Sequence, residues 1–208
     1  ESLSEGKTAN VIDASGLVVT PGLVDIHVHV YWGVSHYGLK DPDKHCIAKG
    51  VTSAADAGSA GAATFGGLRK YVLDKATTSI RAFLNISAMG MILDELGELQ
   101  DLRWANVDLA VQRGKEHRDV LVGIKVRLSD GLLGENSDLE ALGRAIDAAA
   151  QLHLPVMVHI GKSPSPLKKI LAMLRDGDII THSFTGHKHG ILDDQNKVFP
   201  EVAEAVNR

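Results

Sequence analysis

Two imidazoles one residue apart, His27 and His29, lie in the run Pro21-Gly22-Leu23-Val24-Asp25-Ile26-His27-Val28-His29-Val30. Strict alternation sets Asp25, His27 and His29 on one face of a strand and Ile26, Val28 and Val30 on the other. The strand is apolar almost throughout, as in a parallel strand covered on both sides. Two buried imidazoles side by side need an anion or a metal ion as partner. A pair of surface histidines is the ordinary alternative, and further ligands downstream decide between them.

Those ligands come from later strand-like runs. Lys125, in Val122-Gly123-Ile124-Lys125-Val126-Arg127-Leu128, shares a face with Arg127, while Val122, Ile124 and Val126 form the other face. An ammonium pointed at a barrel interior loses solvation and its pKa falls. A neutral amine can add carbon dioxide to give a carbamate, an anionic oxygen ligand able to bridge two cations; pairing with a carboxylate is the plainer alternative. His159, in Met157-Val158-His159-Ile160-Gly161, and His182, in Ile180-Thr181-His182-Ser183-Phe184, each pass alone for a core histidine. Together with His27-x-His29, at the same ends of their strands, they form a metal-competent set.

The elements that must position this set repeat along the chain. Apolar runs at Leu23 to Val30, Val51 to Ala57, Ser79 to Ser87, Val120 to Leu128, Pro155 to Ile160 and Asp178 to Phe184 alternate with helical segments. Six β/α units in series predict a parallel sheet with right-handed crossovers. Asp41-Pro42 reads as a helix start closed by Gly50, and Ser165-Pro166 opens a helix ending at Gly177. Asn136 to Leu152 carries Leu139, Leu142, Ile146, Ala149 and Leu152 at helical spacing, Trp104 to His117 reads as helical, and a last helix begins at Pro200. Metal-competent residues at strand C-termini match an α/β barrel, and the glycine-rich phosphate loop of a nucleotide-binding sheet is missing after the first strand. The fold class expected is a TIM-type (β/α)8 barrel, incomplete at about six units, since a closed barrel takes about 250 residues. Residues 1–22 predict two short strands, Asn10 to Asp13 and Leu17 to Thr20, joined at Ala14-Ser15-Gly16; residues 23–208 form the partial barrel.

Composition sets the outer limits. The 208 residues are 44% hydrophobic with a net charge of −4, enough for one ordinary core and no basic surface for nucleic acid. The longest apolar stretch is interrupted by Pro21, Asp25 and the histidines, so no membrane span is expected. One cysteine, Cys46, excludes an internal disulfide and fits a reducing, cytoplasmic setting. Glu1 to Lys7 has no signal-peptide pattern, and the missing initiator methionine suggests a fragment or a processed chain.

The Pro21 to His29 run, the strand lysine Lys125, and His159 and His182 together resemble the amidohydrolase superfamily of metal-dependent hydrolases. Tyr31-Trp32-Gly33, Asp56-Ala57-Gly58-Ser59-Ala60-Gly61, Gly123 to Arg127 and Gly190-Ile191-Leu192-Asp193 look more narrowly like its dihydroorotase-like amidohydrolase/deacetylase branch. The resemblance implies two divalent ions, usually zinc. One would be held by His27, His29 and carboxylated Lys125, the other by the same Lys125 with His159 and His182. A metal-bridging hydroxide would attack the amide carbonyl of a small molecule. Residues 1–22 would be the remnant of a flanking β-sandwich. The family's catalytic aspartate at the eighth strand has no counterpart in the six units, so no catalytic residue is assigned, and Asp193 and Asp194 are loop residues.

Arg127 and His187 are the substrate-binding candidates, against a structural ion pair for Arg127 and a plain surface loop for His187 and His189. His45, His117 and His153 read as solvated helix residues, and His36 as a possible lining of the barrel mouth. The activity implied is N-acyl deacetylation, with dihydroorotase-like cyclic amide hydrolysis and adenine-deaminase-like chemistry as enzymatic alternatives. A catalytically silent, assembly-forming barrel is the alternative of another class. Unpaired strand edges make self-association, as a homo-oligomer, an expectation.

Overall fold

The computed structural model describes residues 12–135 and 137–207. Six strands, β1 (Leu23–Val28), β2 (Val51–Asp56), β3 (Ser79–Asn85), β4 (Leu121–Leu128), β5 (Val156–Ile160) and β6 (Ile179–Thr181), form one sheet in sequence order. Every neighbouring pair is parallel. The sheet is curled into a half-barrel. Flat, five strand spacings would separate β1 from β6 by about 24 Å, yet the His27 ring lies 4.8 Å from the ring of His182, which follows β6.

Helices α1 (Pro42–His45), α2 (Phe65–Leu68), α3 (Val107–Glu116), α4 (Asp138–Leu152), α5 (Leu167–Met173) and α6 (Pro200–Val206) complete the described residues with several short 3-10 and π turns. The expected punctuation holds at several ends. Asp41 caps α1 with Pro42 following it, and Gly50 turns the chain into β2 at φ 87°. Asn106 caps α3 by accepting the Leu109 N–H at 2.9 Å.

Alternation gives the sheet two sides. Ile124, Val126 and Leu128 of β4 pack with Leu142, Ala145 and Ala149 of α4 in the main core. On the inner side a small cluster of Ala57, Phe83 and Met157 fills the barrel, and Val122, expected with Ile124, packs against this inner cluster instead. Parallel register stacks the inner residues in rows. Asn85 pairs with Lys125, Lys125 with Met157 and Met157 with Ile179; one row on, Arg127 pairs with His159 and His159 with Thr181. The candidate ligands therefore stand in the last rows before the C-terminal ends, on a floor of apolar side chains.

Two expectations are corrected. Leu17 to Thr20 is not a strand: its ladder finds no partner among the described residues, and Leu17, Val18 and Val19 are 70 to 89% exposed. The companion strand at Asn10 to Asp13 lies largely outside the described residues. Helix α5 stops at Met173 with Leu174 already extended, so Gly177 belongs to the turn before β6 rather than to a helix cap. No helix among the described residues is long and apolar enough to cross a membrane.

Candidate metal centre

The four histidines converge where the sheet closes on itself. Ring centroids are 5.4 Å apart for His27 and His29, 4.8 Å for His27 and His182, and 4.5 Å for His159 and His182. His27 and His29 stand at the end of β1 and just past it, His159 is the fourth residue of β5, and His182 comes directly after β6. His182 adopts φ 68°, a left-handed conformation uncommon for a residue with a Cβ. That turn ends β6 before the strand reaches Phe184, as the sequence had suggested it would, and brings the imidazole toward β1. Strained backbone of this kind costs about 1–3 kcal/mol and persists where surrounding structure imposes it.

Lys125 is completely buried. Among the described residues the hydrogen-bond partner of its Nζ is the Met157 sulfur at 3.7 Å, and no carboxylate forms an ion pair with it, although Glu98 and Asp56 act to raise its pKa against burial. Burial, and then the charge of Arg127, lowers its pKa to about 7. The histidines answer in the same sense. Burial, followed by the Lys125 charge, brings His27 to about 4 and His29 and His159 to about 3. His182, more exposed than the others, is also shifted down by its partial burial and then by Lys125. At neutral pH all four imidazoles are uncharged and carry a free lone pair.

This donor set fits divalent ions under one condition. Among the described residues no group of three or more His, Cys, Asp or Glu side chains is placed to hold an ion by itself, and a set that includes Lys125 needs its amine in a ligating form. An ammonium cannot serve, since it has no lone pair. An amine half neutral near pH 7 can become a donor.

Hydroxyls sit behind both histidines of β1. His27 Nδ1 is 2.7 Å from Thr181 Oγ1, and His29 Nδ1 is 2.9 Å from Ser59 Oγ. Ser59 belongs to the turn Asp56-Ala57-Gly58-Ser59 after β2, whose Asp56 has no exposure. Burial pushes the Asp56 carboxyl up, against hydrogen bonds from the Val30, Ser59 and Gly58 N–H groups and the Ser59 hydroxyl.

Arg127 resolves toward the ion pair. Its Nε and Nη2 bond Glu98, and Nη2 also reaches Asp94 at 2.6 Å. Burial works against its charge, but Glu98 and then Asp94 outweigh it and hold its pKa above the usual value. Tyr37 Oη donates to the other Asp94 oxygen at 2.6 Å. An open cleft of about 1120 Å³ lies over this network, lined by Tyr37, Asp94, Arg127, His159, His182 and His187 among others. His187 is exposed in that lining, and His189 bonds the Ser163 carbonyl at 2.8 Å. His36 stacks edge-on against Tyr37, which lines the cleft, and is not itself among the lining residues. His117, expected to be solvated, instead packs its ring 5.0 Å from Phe65. Asp193 accepts the N–H groups of Gln195 and Lys197, which makes it a loop pin.

Sequence reasoning missed Asp56, Ser59, Thr181, Asp94, Glu98 and Tyr37. A cation on the inner face at Arg127 signalled that an anion was required, but nothing in the aperiodic stretch before Trp104 marked which carboxylates supply it.

Sequence and fold can each be compared with known proteins. The Amidohydrolase family matches residues 10–67. A deacetylase of Agrobacterium fabrum is 35% identical over 188 residues, covering 89% of this chain and 46% of that protein. Among solved structures, an adenine deaminase superposes with a TM-score of 0.83 at 34% identity, over 90% of this chain and 50% of its own. A dihydroorotase gives 0.81 at 32% identity, over 89% and 51%. The chain thus spans about half the length of the relatives it matches.

Proposed function

Because the chain belongs to the amidohydrolase superfamily, we propose that the protein carrying it is a metal-dependent hydrolase that cleaves a C–N bond of a small amide, by N-acyl deacetylation. The observation that carries this reading is Lys125: a fully buried amine with no ion-pair partner among the described residues, among four neutral histidines at the C-terminal end of a curled parallel sheet. A structural lysine would be paired, and a buried ammonium left alone is costly.

His27, His29 and Lys125 would hold one ion, and Lys125, His159 and His182 the other, zinc being the metal these nitrogen and oxygen donors suit. When bound, the ions polarise the amide carbonyl and lower the pKa of water. The chain's own part begins at Lys125. Its neutral amine adds carbon dioxide: an N–C bond forms, one amine proton leaves to solvent, and a carbamate with two oxygens results. The burial that lowers its pKa makes that amine available near neutral pH. Met157 and Phe83 form the apolar floor that keeps water from beneath the site. Substrate enters by the cleft, where His187 is the binding candidate; Arg127 contributes through Nη1, the nitrogen that Glu98 and Asp94 leave open.

Deacetylation is preferred to ring opening or deamination because, among the sequence relatives, those named deacetylase match 89 to 94% of the chain and those named dihydroorotase 45 to 49%, although the solved adenine deaminase and dihydroorotase also cover most of it. The test has two parts. Metal content per chain is measured on the full-length protein and on its Lys125→Ala variant, both grown with added zinc; about two ions against at most one is expected. A screen of N-acyl amino acids, cyclic amides and adenine follows. Turnover of cyclic amides with none of N-acyl compounds would overturn the deacetylase assignment.

A further inference from the structure

The Ser59 hydroxyl stands between a proposed metal ligand and a buried carboxylate. Its Oγ is 2.9 Å from His29 Nδ1 and 2.7 Å from Asp56 Oδ2. The hydroxyl has a single proton to give. Asp56 Oδ1 receives the N–H groups of Gly58 and Ser59, and Oδ2 receives that of Val30. Backbone N–H groups can only donate, so three fixed donors set this carboxylate as an acceptor. The Ser59 proton therefore goes to Oδ2, and the lone pair that remains on Oγ faces Nδ1 of His29.

We infer that Asp56 and Ser59 act as a positioning pair that holds His29 in its Nδ1–H tautomer, with the Nε2 lone pair turned to the ion. This rests on the metal-site reading above. The hydrogen bond at one ring nitrogen decides which nitrogen is left to ligate, and in most metal sites a carboxylate or carbonyl makes that bond directly. Here a hydroxyl relays it, because Asp56 lies in the turn behind Ser59 rather than against the ring. Thr181 does not do the same for His27: among the described residues its hydroxyl bonds no second acceptor, so it can donate to Nδ1 or accept from it. The HxH pair is thus set at His29 alone. A proton on Asp56 Oδ2 would reverse each bond of the relay and leave hydrogen on Nε2, the arrangement the experiment must separate.

The test is long-range 1H–15N correlation on full-length protein labelled at histidine, stripped of metal with chelator, with His29 assigned from a His29→Gln sample. The expected wild-type spectrum has the His29 proton on Nδ1. Ser59→Ala removes that preference and weakens zinc affinity, read by chelator competition, by about 10–100-fold. Ser59→Thr keeps the hydroxyl and restores both. Asp56→Asn supplies a second variant of the same shape: with the amide NH2 in place of Oδ2 it gives up the Val30 N–H bond, donates to Ser59 Oγ, turns the hydroxyl toward His29 and moves the ring proton to Nε2. A side chain that merely filled space would not reverse a tautomer. Hydrogen on Nε2 in the wild type, or a tautomer indifferent to Ser59 and Asp56, overturns the inference. Zinc binding that persists in that case leaves the metal reading standing, whereas a Ser59-dependent tautomer in a protein that takes up no zinc removes the metal reading and keeps the relay.

Discussion

Gly58 lies flat against Lys125: a Cβ built on the glycine would stand 2.5 Å from both Cβ and Cγ of the lysine, and the glycine sits at φ 86°. One turn after β2 thus confines the lysine stem with Gly58 and holds His29 with Ser59. Gly58→Ala should then cost about 1–3 kcal/mol of stability, read as a lower urea midpoint, and should reduce zinc content by displacing Lys125. Gly66, in the short α2, has open space at its Cβ position, and Gly66→Ala should be neutral or stabilise by up to about 1 kcal/mol. Equal effects of the two substitutions would contradict the steric account.

Replacing Lys125 by methionine separates binding from folding. Burial and the Arg127 charge outweigh what Glu98 and Asp56 return to the ammonium, its hydrogen-bond partner among the described residues is a sulfur, and an apolar chain of similar length fills the same volume. Buried charges replaced by well-packed apolar groups often leave stability equal or higher by about 1–4 kcal/mol. In chelator-stripped protein Lys125→Met should unfold at the same or a higher urea concentration, while zinc binding falls below one ion per chain. A clear loss of stability would mean that the amine has a partner in the folded protein.

The alternation of β1, β4 and β5 made the placement of His27, His29, Lys125 and His159 legible before any coordinates, since period two leaves one choice of face. His182 was legible as a ligand candidate but not as the end of its strand. The left-handed backbone there is imposed by the tertiary structure, where a glycine would have signalled it in the sequence. Leu17 to Thr20 failed as a strand because β-propensity needs a partner to become structure. The supports of the site, Ser59 behind His29 and Glu98 beneath Arg127, depend on which loops fold back, and a single sequence carries no period for that.

Asp43 gives a pH dependence that is independent of the metal site. Its carboxylate accepts the Thr78 N–H, the Thr77 N–H and the Thr78 hydroxyl, each at 2.8 Å. Backbone hydrogen bonding from Thr78 leads the causes that bring its pKa from 3.8 to about 2. A carboxylate depressed in the folded state adds stability that is complete above the unfolded value and disappears as pH falls through the folded one. The gap in urea midpoint between wild type and Asp43→Ala should be constant above about pH 5 and close between pH 4 and 2. Solvent around this side chain limits the gap to about 1 kcal/mol. A gap that widened on acidification would have the wrong sign for this contact.

Among the described residues the ion pair of Arg127 with Glu98 is the least exposed, with the two side chains only 5% and 2% exposed. Attraction at that depth is offset by the desolvation of both groups, so the pair itself adds little, but either member alone is an uncompensated buried charge. Arg127→Met should therefore cost about 3–5 kcal/mol, because Asp94, at 26% exposure, can rehydrate and Glu98 cannot. Adding Glu98→Leu to Arg127→Met should recover much of that loss, giving a coupling energy of about 2 kcal/mol or more in a double-mutant cycle. Additive losses in the cycle would instead mean that the carboxylate already takes up a proton when Arg127 is removed.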